Sequence, residues 1–334
     1  MNVRSILLAA LFVMSLSPAA PAWDRGQATT FARLPAGTAN PEGIAVDARG
    51  NVYASLFDPF GVNAKVGRVV VFNREGKFVR IITIPGSSSA LLGLGFRPGT
   101  NLLLVIDFGG AQVFSVDVTN DTATLFTKVD PAAGLNALTF DKAANVYISD
   151  SFQGIIWRTA PAGGPATKFA SSPLLTTEGK PPFGANGLAF NKDFSFLFVA
   201  NTGNDTIVKV PATGGDGTAL EFTNSINGAD GLVIDEHDNI WVCANQADEI
   251  VVIDQNGKAI AKLGDFDGIG ARGEPRGFLF PASLVFSGEF VLVTNLSLDT
   301  TGFGFQTVDT AWTKQVRTHT LAKIKRRIPP VHGD

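Results

Sequence analysis

A five-residue pattern that returns six times constrains this chain more than any other feature: a leading residue, a small residue, then three mostly apolar ones. It reads Glu42-Gly-Ile-Ala-Val, Leu92-Gly-Leu-Gly-Phe, Asn136-Ala-Leu-Thr-Phe, Asn186-Gly-Leu-Ala-Phe, Asp230-Gly-Leu-Val-Ile and Ala282-Ser-Leu-Val-Phe, at spacings of 50, 44, 50, 44 and 52. A period of that size marks a repeat architecture. In the leading column, four of the six copies carry a side-chain oxygen: Glu42, Asn136, Asn186 and Asp230.

Around each copy the same short elements recur. The first repeat predicts strands at 44–46, 51–55, 67–72 and 78–84, with polar turns at 47–50 and 73–76. Turn residues between β-branched and aromatic runs give a meander of four antiparallel strands. Similar runs follow from residue 138 and from residue 232, and helical periodicity is convincing nowhere. Six such units predict an all-β chain, a six-bladed β-propeller, because radial repetition protects the edges of many small sheets. The last unit offers strands at 284–286, 290–294 and 318–325 and then runs out. A strand at 29–34 supplies the fourth, so the N-terminal strand joins the last blade and closes the ring.

Residues 1–22 hold one early cation, Arg4, an apolar run over 6–16 and an Ala20-Pro-Ala22 ending, the pattern of a cleaved signal peptide. The run is shorter than the roughly 20 apolar residues of a membrane span, and no later stretch qualifies. Residues 23–334 are expected to form a single propeller domain, exported to a bacterial periplasm or secreted. With 45% hydrophobic and 17% charged residues the chain is globular, and a net charge of −3 offers no surplus of cations for a nucleic acid. Cys243 is the single cysteine and lies in an apolar run, so it reads as packing rather than chemistry.

Propeller geometry brings the starts of all six inner strands to one mouth of the central channel. Glu42, Asn136, Asn186 and Asp230 therefore converge. Two carboxylates and two amides make an all-oxygen set suited to Ca²⁺ or another hard divalent cation, and unsuited to metals that prefer histidine or cysteine. A hydrogen-bonded polar plug is the alternative. If a metal binds, it can polarise a carbonyl, and Asp230, short enough to use one oxygen on the ion, is the expected base or nucleophile. Long connections at 171–185, 265–281 and 295–317, with a shorter one at 56–66, reach the same face. Their aromatics, among them Phe57, Phe183, Phe278, Phe303 and Trp312, predict a pocket for a partly apolar small molecule. The chain is expected to act as a monomer.

The segments Pro41-Glu-Gly-Ile-Ala-Val-Asp47, Leu135-Asn-Ala-Leu-Thr-Phe-Asp141, Ala185-Asn-Gly-Leu-Ala-Phe190 and Ala229-Asp-Gly-Leu-Val-Ile-Asp235 resemble the metal-site strands of one superfamily. That superfamily comprises senescence marker protein, gluconolactonase and luciferin-regenerating enzyme, with diisopropyl fluorophosphatase and paraoxonase as relatives. The resemblance implies that Glu42, Asn186 and Asp230 bind a catalytic Ca²⁺, with Asn136 as fourth ligand or substrate contact. It also implies hydrolysis of lactones, esters or phosphotriesters, with Asp230 as base or nucleophile. Two positions depart from the pattern. Gly134 stands where sugar lactonases of the group carry arginine, and Ala282-Ser283 stand where the phosphotriesterase relatives carry histidine. A less polar lactone or ester is therefore the expected substrate. A non-catalytic binding propeller with a structural ion, and an enzyme resembling strictosidine synthase, are the alternatives.

Overall fold

Alternation along strands that are buried on both faces sets the architecture. In the computed structural model, which describes residues 24–329, all five residues of the strand Ile240–Ala244 are buried. Successive side chains of a strand point to opposite faces. Trp241 and Cys243 pack with Leu284, Val291 and Val293 of the following blade. Ile240, Val242 and Ala244 pack with Phe198, Ala200 and Ile207 of the preceding one. The core is thus a set of apolar walls, one at each interface between blades. Each fully buried Val, Leu or Ile in a wall stabilises the ring by roughly 1.5–3 kcal/mol.

The first blade consists of Pro41–Val46, Val52–Leu56, Arg68–Phe72 and Phe78–Thr83, hydrogen-bonded in sequence order. Five sheets have four strands, and one has a fifth because Gly215–Asp216 adds in parallel to Thr167–Ser171. The protein is a six-bladed β-propeller with almost no helix. In the last blade, Thr29–Arg33 lies antiparallel to Thr320–Lys325, with Thr29 opposite Lys323 and Arg33 opposite Thr320. Its remaining strands, Phe290–Asn295 and Pro281–Ser287, complete the sheet. The expected signal peptide lies outside the described residues. Among the described residues no helix is long and apolar enough to cross a membrane.

The hairpin between the first two strands is built alike in three blades. Asp47, Asp141 and Asp235 each accept backbone N–H groups two and four residues on, at 2.8–2.9 Å. Each second carboxylate oxygen accepts from an aromatic of the second strand: Tyr53, Tyr147 or Trp241. These aspartates are Asx turns, held far from the channel mouth.

The repeating pattern has a steric reason. A β-carbon on Gly187 would stand 2.5 Å from the carbonyl oxygen of Asp230, and one on Gly231 2.6 Å from that of Ala282. Gly43 and Gly93 meet the carbonyls of Leu92 and Asn136 in the same way, at 2.6 and 2.7 Å. The second position is small because neighbouring inner strands touch there, backbone against backbone. The inner strands also start earlier than 44–46 and its equivalents, since they run from Pro41, Leu91, Leu135, Ala185, Ala229 and Pro281. In every blade the register shifts between the first and fourth residues of that strand. The leading residue sits inside this bulge, a device that re-aims a side chain out of the regular pleat.

Candidate functional site

Bulges from four blades direct Glu42, Asn136, Asn186 and Asp230 into one hollow at the channel mouth, about 500 Å³ counted with its opening. All four are buried, at 3–5% exposure. Its walls are divided. Thr202 and Asn245 continue the polar side, whereas Phe57, Leu92, Phe280, Leu296, Phe303 and Phe305 make up most of the apolar side.

The orientation of the polar groups follows from a second column of residues, placed just after the second strand of each blade. In blades three and four this residue is a hydroxyl. Asn136 Nδ2 donates to Ser151 Oγ at 3.2 Å, and Ser151 donates onward to the Ala185 carbonyl at 2.7 Å. Asn186 Nδ2 donates to Thr202 Oγ1 at 3.0 Å, and Thr202 donates to the Ala229 carbonyl at 2.8 Å. With the amide nitrogen tied outward, the Asn136 oxygen is left buried without a partner. In blade five the second-column residue is Asn245, whose Nδ2 donates to Asp230 Oδ2 at 2.7 Å. Asp230 Oδ1 then has no partner.

Only five buried side-chain atoms among the described residues lack a hydrogen-bond partner, and three belong here: Glu42 Oε2, Asn136 Oδ1 and Asp230 Oδ1. An orphaned buried acceptor costs about 1–3 kcal/mol, more when charged. Three of them facing one hollow fit an oxygen-liganded cation. Burial and the charge of Asp230 push the Glu42 carboxyl well above the usual carboxylate range. Burial raises Asp230 to about 7, opposed chiefly by the hydrogen bond from Asn245. No group of three or more Asp, Glu, His or Cys side chains converges among the described residues, so the donor set is two carboxylates and two amides. That chemistry suits a hard divalent ion.

Of the aromatics expected at the pocket, Phe57, Phe183 and Phe303 line it. Phe278 does not: its ring is fully buried in the wall between blades five and six, beside Leu263 and Val291. The expectation fails because Phe280, two residues on, takes a left-handed backbone at φ 50° and turns the chain, so Phe280 faces the hollow instead. Trp312 is also away from the lining, 44% exposed, with its ring 5.3 Å from that of Phe266. The rings that remain form a belt. Phe303 lies 6.3 Å from Phe57 and 4.9 Å from Phe60, and Phe57 meets Phe108 at 5.9 Å. Gly134, the position where the resemblance expects arginine, is covered by Phe152, whose ring stands 2.7 Å from where a β-carbon would be. His319 is held behind the apolar wall, where Asn40 Nδ2 donates to its Nε2 at 3.2 Å and burial lowers its pKa to about 4.

Several site residues are not marked by the repeat alone: Ser151, Thr202, Asn245, Phe280, Leu296 and Phe305. A signal for the second column does exist. Ser151, Thr202 and Asn245 follow Asn136, Asn186 and Asp230 by 15 or 16 residues, and Phe57 and Phe108 follow Glu42 and Leu92 at the same offsets. By contrast, Asp150, Asn201 and Asp248 nearby serve the backbone: Asp150 accepts from Gly134 N at 2.9 Å, Asn201 donates to the Leu174 carbonyl at 2.8 Å, and Asp248 accepts from Phe280 N at 2.7 Å.

Fold and site together define a class: a six-bladed propeller with an oxygen-rich cluster on its axis under an aromatic pocket. Within it, residues 182–264 match the family described as SMP-30/Gluconolactonase/LRE-like region. The matched stretch contains Asn186, Thr202, Asp230 and Asn245. No curated protein matches the chain in sequence. Among solved structures it is similar to a calcium-binding protein, regucalcin, from Agrobacterium tumefaciens str. C58, with 17% identity and a TM-score of 0.61 over 91% of this chain and 98% of that one. A luciferin-regenerating enzyme gives 14% identity and a TM-score of 0.64 over 92% and 98% of the two chains. Virginiamycin B lyase from Staphylococcus aureus gives 14% and 0.57 over 90% and 99%. Likeness at such identities is likeness of fold.

Proposed function

We propose that this protein is a calcium-dependent hydrolase of a lactone or ester with a substantial apolar portion. The reading is carried by the three orphaned oxygens of Glu42, Asn136 and Asp230, buried together beneath an apolar pocket. The family match over blades four and five, in a family described by its gluconolactonases, supports the same reaction type. Glu42, Asn136, Asn186 and Asp230 would hold the ion, which when bound supplies Lewis-acid polarisation of a substrate carbonyl. Asp230 carries the proton work. Its Oδ2 stays aligned by Asn245 for accepting a proton from water. The amides of Asn136 and Asn186 add oxygen donors without adding charge. Phe57, Leu92, Phe280, Leu296, Phe303 and Phe305 bind the apolar part of the substrate and keep bulk water from the carboxylates.

A panel of γ- and δ-lactones and aryl esters tests this, assayed with Ca²⁺, after chelation and after Ca²⁺ is restored. Turnover should disappear on chelation and return with the ion, and apolar members should be preferred over sugar lactones. No turnover of any member, with melting temperature still raised by Ca²⁺, would mean a structural ion in a binding propeller.

A further inference from the structure

We infer that Asn245 is a positioning residue that commits Asp230 to meeting the ion through Oδ1 alone. This rests on the calcium reading of the site, but the geometry that carries it does not. Asn245 is 1% exposed and donates through Nδ2 to Asp230 Oδ2 at 2.7 Å. Its own oxygen accepts from Gln246 Nε2 at 2.9 Å. That second bond fixes which end of the amide faces the carboxylate. Gly228, at φ 68°, makes room for the arrangement, because a β-carbon there would collide with Asn245 Oδ1 and crowd Gln246. Three residues are thus given over to one hydrogen bond.

The other blades show what this position does. Opposite Asn136 and Asn186 stand Ser151 and Thr202, acceptors for an amide. Opposite the carboxylate stands an amide, a donor. Beside Leu92 the residue is Phe108, and beside Ala282 it is Leu296; neither leading residue there has a polar side chain to align. In blades three, four and five the second column follows the hydrogen-bonding needs of the first; in blade one Glu42 stands beside Phe57, and its Oε2 is left without a partner. At Asp230 the consequence is an asymmetric carboxylate: Oδ2 is engaged, and Oδ1 is buried, unpartnered and turned to the hollow. Outer partners that orient a metal ligand commonly change affinity 10–100-fold when lost.

Asn245→Leu keeps the side chain's size and removes the donor. Its crystal structure without metal is read first, for the direction of the Asp230 carboxylate. A carboxylate turned from its present direction supports the inference, and an unchanged one overturns it whether or not the protein binds calcium. Titration calorimetry with Ca²⁺ alone is read second. The expected result is an affinity about 10–100-fold weaker than that of the unaltered chain, with the melting temperature in chelator within a few degrees. A merely structural asparagine would lower that melting temperature and leave affinity within threefold. If the unaltered chain binds no Ca²⁺ at millimolar concentration, the proposed function falls while the carboxylate direction still decides the role of Asn245.

Discussion

Asp230→Asn should abolish measurable lactone or ester turnover, a fall on the order of 10³-fold or more given what positioned bases contribute, and should remove tight Ca²⁺ binding. The same variant should make the metal-free protein more stable at alkaline pH. Asp230 is held at about 7 by burial, above the ordinary aspartate value of 3.8. A carboxyl raised in the folded state contributes stability that is fully present at acid pH and is lost as pH rises through the folded value. The unaltered chain, in chelator, should therefore lose melting temperature between about pH 5 and 8. Asparagine at 230 is neutral throughout and still offers an oxygen to Asn245, so that part of the loss should vanish. Activity and metal-free stability are expected to move in opposite directions. Melting curves at pH 5 and pH 8, beside initial rates, check both, and a variant that loses stability along with activity would show that Asp230 serves the fold.

Much of this site was legible in the sequence, for a physical reason. Ring symmetry turns a sequence period into spatial convergence, so Glu42, Asn136, Asn186 and Asp230 can be placed together without any contact being known. The small second position was equally visible, because the backbone contact it permits recurs around the ring. What escaped is not periodic in hydrophobicity. Asn245 resembles any polar residue ending a strand, and only its hydrogen bond to Asp230 separates it from Asp248, which caps the backbone three residues later. Phe278 and Phe280 could not be told apart either, since regular alternation puts residues two apart on one side. The left-handed turn at Phe280 breaks that rule. Trp312 sits on a connection whose path depends on packing against Phe266, and no repeat specifies that path.

A second buried acid pair sets a further expectation, on stability against pH. Asp248 and Asp309 are 8% and 6% exposed, and they face one another where the turn after Ile240–Ala244 meets the segment leading into Thr310–Thr313. Asp248 Oδ1 is taken by the Phe280 N–H, while Asp309 Oδ2 is buried without a partner. Burial and the charge of Asp309 push Asp248 up to about 8, with Asp265 adding to the effect, and burial raises Asp309 to about 6. The nearby cations are engaged elsewhere: Arg25 and Lys262 hold Glu249 at 2.7 and 2.8 Å, and Arg25 also reaches Asp265 at 3.4 Å. The two carboxyls are therefore stable facing each other only while they share a proton. Both are raised in the folded state, so their contribution is intact at acid pH and is lost as pH climbs from about 6 through about 8. For a chain of this size about 1 kcal/mol corresponds to roughly 2 °C. Two deeply buried carboxyls should thus cost on the order of 5–10 °C of melting temperature in chelator by pH 9. Asp309→Asn leaves an amide that can donate to Asp248, and should recover most of that loss at pH 9 while changing little at pH 5. Melting profiles of the two proteins that stay parallel from pH 5 to pH 9 would show that the pair holds no proton. Trp312 follows Asp309 by three residues and packs on Phe266, so it reports on this segment. Its fluorescence, read as the difference from Trp312→Phe because the chain holds four tryptophans, should change over the same pH range in the unaltered chain and stay level in Asp309→Asn.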